Sequence, residues 1–143
     1  STPTARVHPP GRLSARALRR VLRVNAATSM VTGTLMTIAP TQLDIVLGTG
    51  RPGWIRLVGG GLVLFAVTVA VVAGSRPPRL ERWTPMIVAA DTAWVASSCA
   101  AVVAGWFEPR GVAVVSAVAA MVGTFAMLQR RRLVALRRAG RSS

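Results

Sequence analysis

The sequence predicts an all-α fold, a four-span transmembrane helical bundle with both termini cytoplasmic. Three observations predict it. Apolar stretches lie at about 21–39, 54–73, 85–106 and 111–128, each near the ~20 helical residues needed to cross a bilayer core. The connections between them are short. The basic residues gather at the two ends of the chain and in the middle connection. A mean hydropathy of +0.49 fits a bundle that is mostly membrane with polar ends.

The net charge of +14 comes from 18 basic residues, all arginine. That bias, with heavy alanine, valine and glycine usage, points to a GC-rich bacterial genome and so to the bacterial cytoplasmic (inner) membrane. Arg6, Arg12, Arg16, Arg19, Arg20 and Arg23 precede or enter the first span, and Arg130, Arg131, Arg132, Arg137, Arg138 and Arg141 follow the last. The middle connection, 74–84, carries Arg76, Arg79 and Arg82 against Glu81. The other connections balance Arg51 with Asp44 and Arg110 with Glu108. Positive charge marks the cytoplasmic side, and only an even number of spans puts all three basic segments there. Arginines bordering spans read as contacts to anionic headgroups, not to nucleic acid, because no nucleic-acid module accompanies them.

Residues 1–13 read as a flexible basic tail, with His8 solvated. Ser14 is positioned to cap the first helix. That helix should tilt into the inner leaflet and let Arg16, Arg19, Arg20 and Arg23 snorkel to phosphates. The first apolar run is too long for a signal-peptide core and lacks a convincing cleavage site, so it should be retained as a span. Asn25, Ser29 and Thr32 share one face of it, and that face should turn toward other helices. Pro40 ends the span. Thr41-Gln42-Leu43-Asp44 resembles a capping box for a short interfacial helix, expected to tuck onto the bundle.

Span two opens on Trp54 and Arg56 as an interfacial anchor. Gly59, Gly60, Ala66 and Ala70 are the expected helix-packing positions, since small side chains let backbones approach closely. Span three starts at Pro85, a residue suited to the first helical turn. It holds Cys99, whose solitude excludes an internal disulfide. Span four ends at Gln129, and a basic helical extension should run along the membrane surface to residue 139, leaving 140–143 as a tail.

Asp91 is the one acid deep in a span, where charge costs about 2.5–3.5 kcal/mol on insertion scales. Counting along the spans places Asn25, Ser29 and Thr124 at comparable depth, with Arg23 near enough to reach down. An intramembrane polar cluster of Asp91, Asn25, Ser29 and Thr124 is therefore expected. Two roles compete for Asp91: a hydrogen-bond acceptor that fixes helix arrangement, or a protonatable carboxylate on a transport path.

The chain resembles a broad family of small bacterial four-helix integral membrane proteins of uncharacterised function. The resemblance rests on Leu22-Arg23-Val24-Asn25-Ala26, Pro40, Val46-Leu47-Gly48, Arg56-Leu57-Val58-Gly59 and Phe65-Ala66. Asp91-Thr92-Ala93-Trp94-Val95 and Phe125-Ala126-Met127-Leu128-Gln129 complete it. It covers the chain from Leu22 onward and implies a fold but no activity.

No catalytic, cofactor-binding or metal-ligating constellation is legible: there is no tyrosine and no Cys-His pair. The reading is a non-catalytic membrane protein without cofactor. It would be an accessory or scaffold subunit packing with a larger membrane partner or with itself as a homo-oligomer. The alternative is a small homo-oligomeric proton-coupled transporter or channel using Asp91. A lipid-binding organiser acting through its arginines is a third possibility.

Overall fold

The computed structural model describes residues 10–141; the segment 1–9, with Arg6 and His8, and the last two residues lie outside them. Five helices account for nearly all of it: α1 (Pro10–Ile38), α2 (Pro40–Leu47), α3 (Pro52–Gly74), α4 (Pro77–Val103) and α5 (Pro109–Arg141). No strand occurs among the described residues. Every helix opens on a proline, which lacks the N–H that a first turn leaves unbonded and arrives with its φ already helical.

α3, α4 and α5 are each long and apolar enough to cross a membrane. α1 and α2 make a fourth such segment only when taken together, and they meet at a bend of 98°. The long helices alternate in direction, so the arginines of α1, α4 and α5 collect at one end. Arg19 Nη2 donates to the Ser75 carbonyl there (2.8 Å), and Arg137 Nη2 to that of Glu81 (3.3 Å). α1 packs most extensively on α3 and α4 on α5, with α1 against α5 joining the pairs; α3 and α4 touch little.

The main core lies at the arginine-rich end. Leu18, Leu22, Leu80, Leu133 and Leu136 bury there with Val69, Val72 and Ala73. On the first helix Ala15, Leu18, Leu22 and Ala26 recur every three or four residues, and that stripe closes against protein. One expectation is corrected: the α5 extension does not run over a surface, because Leu133 and Leu136 bury in the same cluster. Helix α1 also begins at Pro10, which puts Ser14 inside the helix and makes 10–13 helical. Gly140 and Arg141 likewise belong to α5 and not to a tail.

Pro85 is internal to α4, which starts two turns earlier at Pro77. The basic connection therefore shrinks to residues 75–76, and Arg79 and Arg82 sit on helix. Proline at position 85 cannot donate to the Glu81 carbonyl four residues back. Arg137 supplies the donor instead, from α5.

At the opposite end α2 tucks onto the bundle. Its N-cap is Ala39 with no side-chain cap bond, because Pro40 takes the first helical position and leaves Asp44 too far along to cap. Asp44 closes the following loop instead, accepting from the Thr49 hydroxyl and from the Arg51 N–H. Gly48 ends α2 with φ 67°, and the Glu108 N–H donates to the Leu47 carbonyl (3.1 Å). Gly111 lies beneath: a Cβ there would stand 2.3 Å from the Leu47 carbonyl oxygen, so only glycine lets α5 start so close.

Candidate functional site

Three helices each send one polar side chain to a common point. Asn25 of α1 is 1% exposed, Asp91 of α4 3% and Gln129 of α5 0%. Asn25 Nδ2 donates to Asp91 Oδ2 at 2.8 Å, and Gln129 Nε2 donates to the same oxygen at 3.2 Å. Ser29, one turn beyond Asn25, donates through Oγ to Asn25 Oδ1 at 3.3 Å. A buried carboxylate is costly without donors, and these two amides supply them to one of its oxygens.

Of the expected cluster the structure brings Asp91, Asn25 and Ser29 together and leaves Thr124 out. Thr124 is exposed and turns its hydroxyl back to the Ala120 carbonyl (2.8 Å). A threonine hydroxyl on a helix satisfies itself this way and needs no distant partner. Gln129 takes its place. The signal for Gln129 was present in the spacing Ala126, Gln129, Leu133, Leu136, a single buried stripe carrying one polar member. Arg23 is also not a partner of Asp91; it is exposed and lines a groove on the outside of α1.

Above the cluster is a partly open cavity of about 340 Å³ lined by all four long helices. Asn25, Ser29, Thr32 and Asp91 supply its polar side; Phe65, Trp94, Met121 and Phe125 are among its apolar walls. A larger cavity of about 830 Å³ opens toward α2, lined by Trp54, Trp94, Trp106 and Arg51, with Ser98 on its wall. Arg51 lies over the Trp106 ring at 5.9 Å, a cation–π distance. Val58 and Trp94 line both spaces, which places them end to end between the loosely packed α3 and α4.

The small residues of α3 divide between two faces. Gly59 is buried where α1 crosses: a Cβ on it would meet Met36 Cβ at 2.6 Å and the Gly33 carbonyl at 2.8 Å. Gly33 is the reciprocal contact, unremarked in the sequence, whose own Cβ would sit 2.8 Å from the Gly59 carbonyl. Ala66 is fully buried on the same face. Gly60 and Ala70, expected to pack, are exposed on the other face, and a Cβ on Gly60 meets nothing within 4 Å. The small-residue spacing of α3 suits either face, and Ile55, Val69 and Ala73 decide which one turns inward.

Among the expected headgroup arginines, Arg16, Arg20, Arg23, Arg130, Arg131 and Arg132 are exposed. Arg19 differs. It is half-buried and caps the end of α3 through Ser75, with its Nε buried and unbonded among the described residues. A guanidinium satisfies the C-terminal carbonyls of a helix and complements its negative dipole end. Arg16, Arg19, Arg20 and Arg23 together border an open groove of about 480 Å³. Cys99 is exposed on α4. No group of His, Cys, Asp or Glu able to hold a metal occurs among the described residues.

No family model matches the chain, and no curated protein or solved structure matches it.

Proposed function

We propose that this chain is a non-catalytic four-span protein of the bacterial cytoplasmic membrane, an accessory or scaffold subunit that packs against a larger membrane partner or against itself. The four-span reading rests on α1. It runs antiparallel along α3 from the Arg19–Ser75 bond to the Gly33–Gly59 crossing, so it shares whatever slab α3 occupies. Its polar residues explain its modest hydropathy, since Asn25 and Ser29 face protein and not lipid. With the arginines gathered at one end, the positive-inside rule places that end, and both termini, in the cytoplasm. There Arg16, Arg20, Arg23 and Arg130–Arg132 meet anionic headgroups.

The observation that carries the docking role is the unused face of α3. Gly60, Ala70 and Gly74 lie on it, and Cβ atoms added at Gly60 and Gly74 would touch nothing. Leu64, Val67 and Val71 are exposed beside them, so this is an apolar face with small residues set among larger ones, one that a second membrane helix can pack on. The test is native mass spectrometry of the protein drawn gently from its own membrane, comparing wild type with a Gly60→Ile, Ala70→Ile double variant. A stoichiometric complex in wild type that is lost in the double variant, with the monomer's thermal unfolding unchanged, supports the role. A wild-type protein found only as a monomer rejects it.

One observation favours a second reading, a transporter or channel that uses Asp91: this carboxylate borders a cavity rather than solid packing. That reading requires Asp91→Asn to abolish proton-coupled flux in vesicles.

A further inference from the structure

Asp91 has two carboxylate oxygens, and the protein satisfies one. Oδ2 accepts from both Asn25 and Gln129, whereas Oδ1 has no donor among the described residues. Oδ1 is nevertheless not a sealed orphan: among the described residues the buried side-chain polar atoms without partners are Arg19 Nε and Gln129 Oε1. The free oxygen therefore belongs to the part of Asp91 that borders the 340 Å³ cavity.

The cavity contains no answer to it. None of the lining residues is basic, although the chain has 18 arginines. Arg23 is near in sequence to Asn25 yet lies on the outside of α1. A carboxylate in a membrane slab needs a counter-charge or a donor. The rest of the wall is apolar and aromatic, with Phe65, Trp94 and Phe125 presenting rings that attract a cation as well as hydrocarbon. A volume of this size lies in the range of small-molecule sites, which pair apolar walls with a few placed polar groups.

We infer that this cavity binds an amphipathic amine. The ammonium donates to Asp91 Oδ1, with Ser29 and Thr32 on the same polar side, and the hydrocarbon body fills the space between Phe65, Met121 and Phe125. The ligand arrives through the larger cavity, passing Trp94. Binding of this kind does not depend on whether α3 docks a partner, since Gly60 and Ala70 are not among the residues lining the cavity.

The experiment uses the full chain in nanodiscs of zwitterionic phosphatidylcholine, with empty discs as the blank. Decylamine and 1-decanol are titrated by calorimetry at neutral pH. They share a chain and differ in whether the head carries a charge. Wild type is expected to bind decylamine at least about tenfold more tightly than decanol, the scale of one charge-assisted hydrogen bond. Asp91→Asn keeps the shape and should bring the two affinities together. Gly61 borders the cavity, and a Cβ there meets nothing within 4 Å, so Gly61→Leu should fill the space without strain and weaken both probes. Equal affinity for amine and alcohol in wild type would make the cavity an acyl-chain slot and overturn the proposal. So would an amine preference that survives Asp91→Asn, or binding of both probes undiminished by Gly61→Leu.

Discussion

The two ends of this bundle are built differently. At the arginine-rich end, leucines from α1, α4 and α5 meet valines of α3 in a closed core, and Arg19 closes over the end of α3. At the opposite end α3 and α4 stand apart, glycines bring α1 and α3 into backbone contact, and a cavity of about 830 Å³ is bordered by tryptophans. The difference teaches where rigidity and openness are placed. The Asn25–Asp91–Gln129 contact lies at the boundary between the halves, so the closed end holds the helices together while the open end leaves room beside Asp91. Unfolding measurements in one detergent separate the two halves.

The largest effect belongs to the leucine core. Leu22 is fully buried, and Leu22→Ala is expected to destabilise the protein by about 2–5 kcal/mol, the range for truncating a packed aliphatic side chain. Val58→Ala, on the shared wall of the two cavities, should cost less than about 1 kcal/mol because its surroundings are already open. Equal losses for the two would break the distinction between the ends.

The open half has its own point of close contact, at the glycine crossing. Gly59→Ala forces a methyl against Met36 and the Gly33 carbonyl, and overpacking of this kind costs about 1–3 kcal/mol. Gly60→Ala faces free space and should be neutral or stabilise by up to about 1 kcal/mol through helix propensity alone. A reversal of that order would mean that α1 and α3 meet on the other face.

Asp91 comes next. Asp91→Asn retains an acceptor for Asn25 or Gln129 and should leave the unfolding midpoint nearly unchanged. Asp91→Leu takes the acceptor from the Asn25 and Gln129 amides and should cost about 1–3 kcal/mol, the range for leaving a buried polar group unmatched. Identical midpoints for wild type and both variants would remove the structural role.

How much of this was legible in the sequence follows from the kind of information each feature needs. The apolar runs of α3, α4 and α5 declare themselves by length, and Asn25, Ser29 and Asp91 by being polar on inward faces. The ends of helices did not, because hydropathy marks where a bilayer stops and not where hydrogen bonding stops; α4 continues through Arg79 and Arg82 to Pro77. The face of α3 that packs was ambiguous because small residues lie on both. Depth in the span does not distinguish Thr124 from Gln129. Rotation about the α5 axis decides which of them points inward, and the leucines at 133 and 136 record it.

The smallest effect tests how the closed end accommodates Pro85. Its missing N–H leaves the Glu81 carbonyl free to accept from Arg137. Because that bond is exposed, Arg137→Ala should cost no more than about 0.5 kcal/mol in wild type. Pro85→Ala restores a donor within α4, so Glu81 no longer depends on α5. In that background Arg137→Ala should cost nothing measurable, and the difference between the two backgrounds is the coupling. Zero coupling, measured with replicates fine enough to resolve ~0.3 kcal/mol, would show that the proline and the arginine are neighbours without being partners. Coupling of the expected sign would make the internal proline part of how α4 and α5 are joined, at the end of the molecule where the packing is tightest.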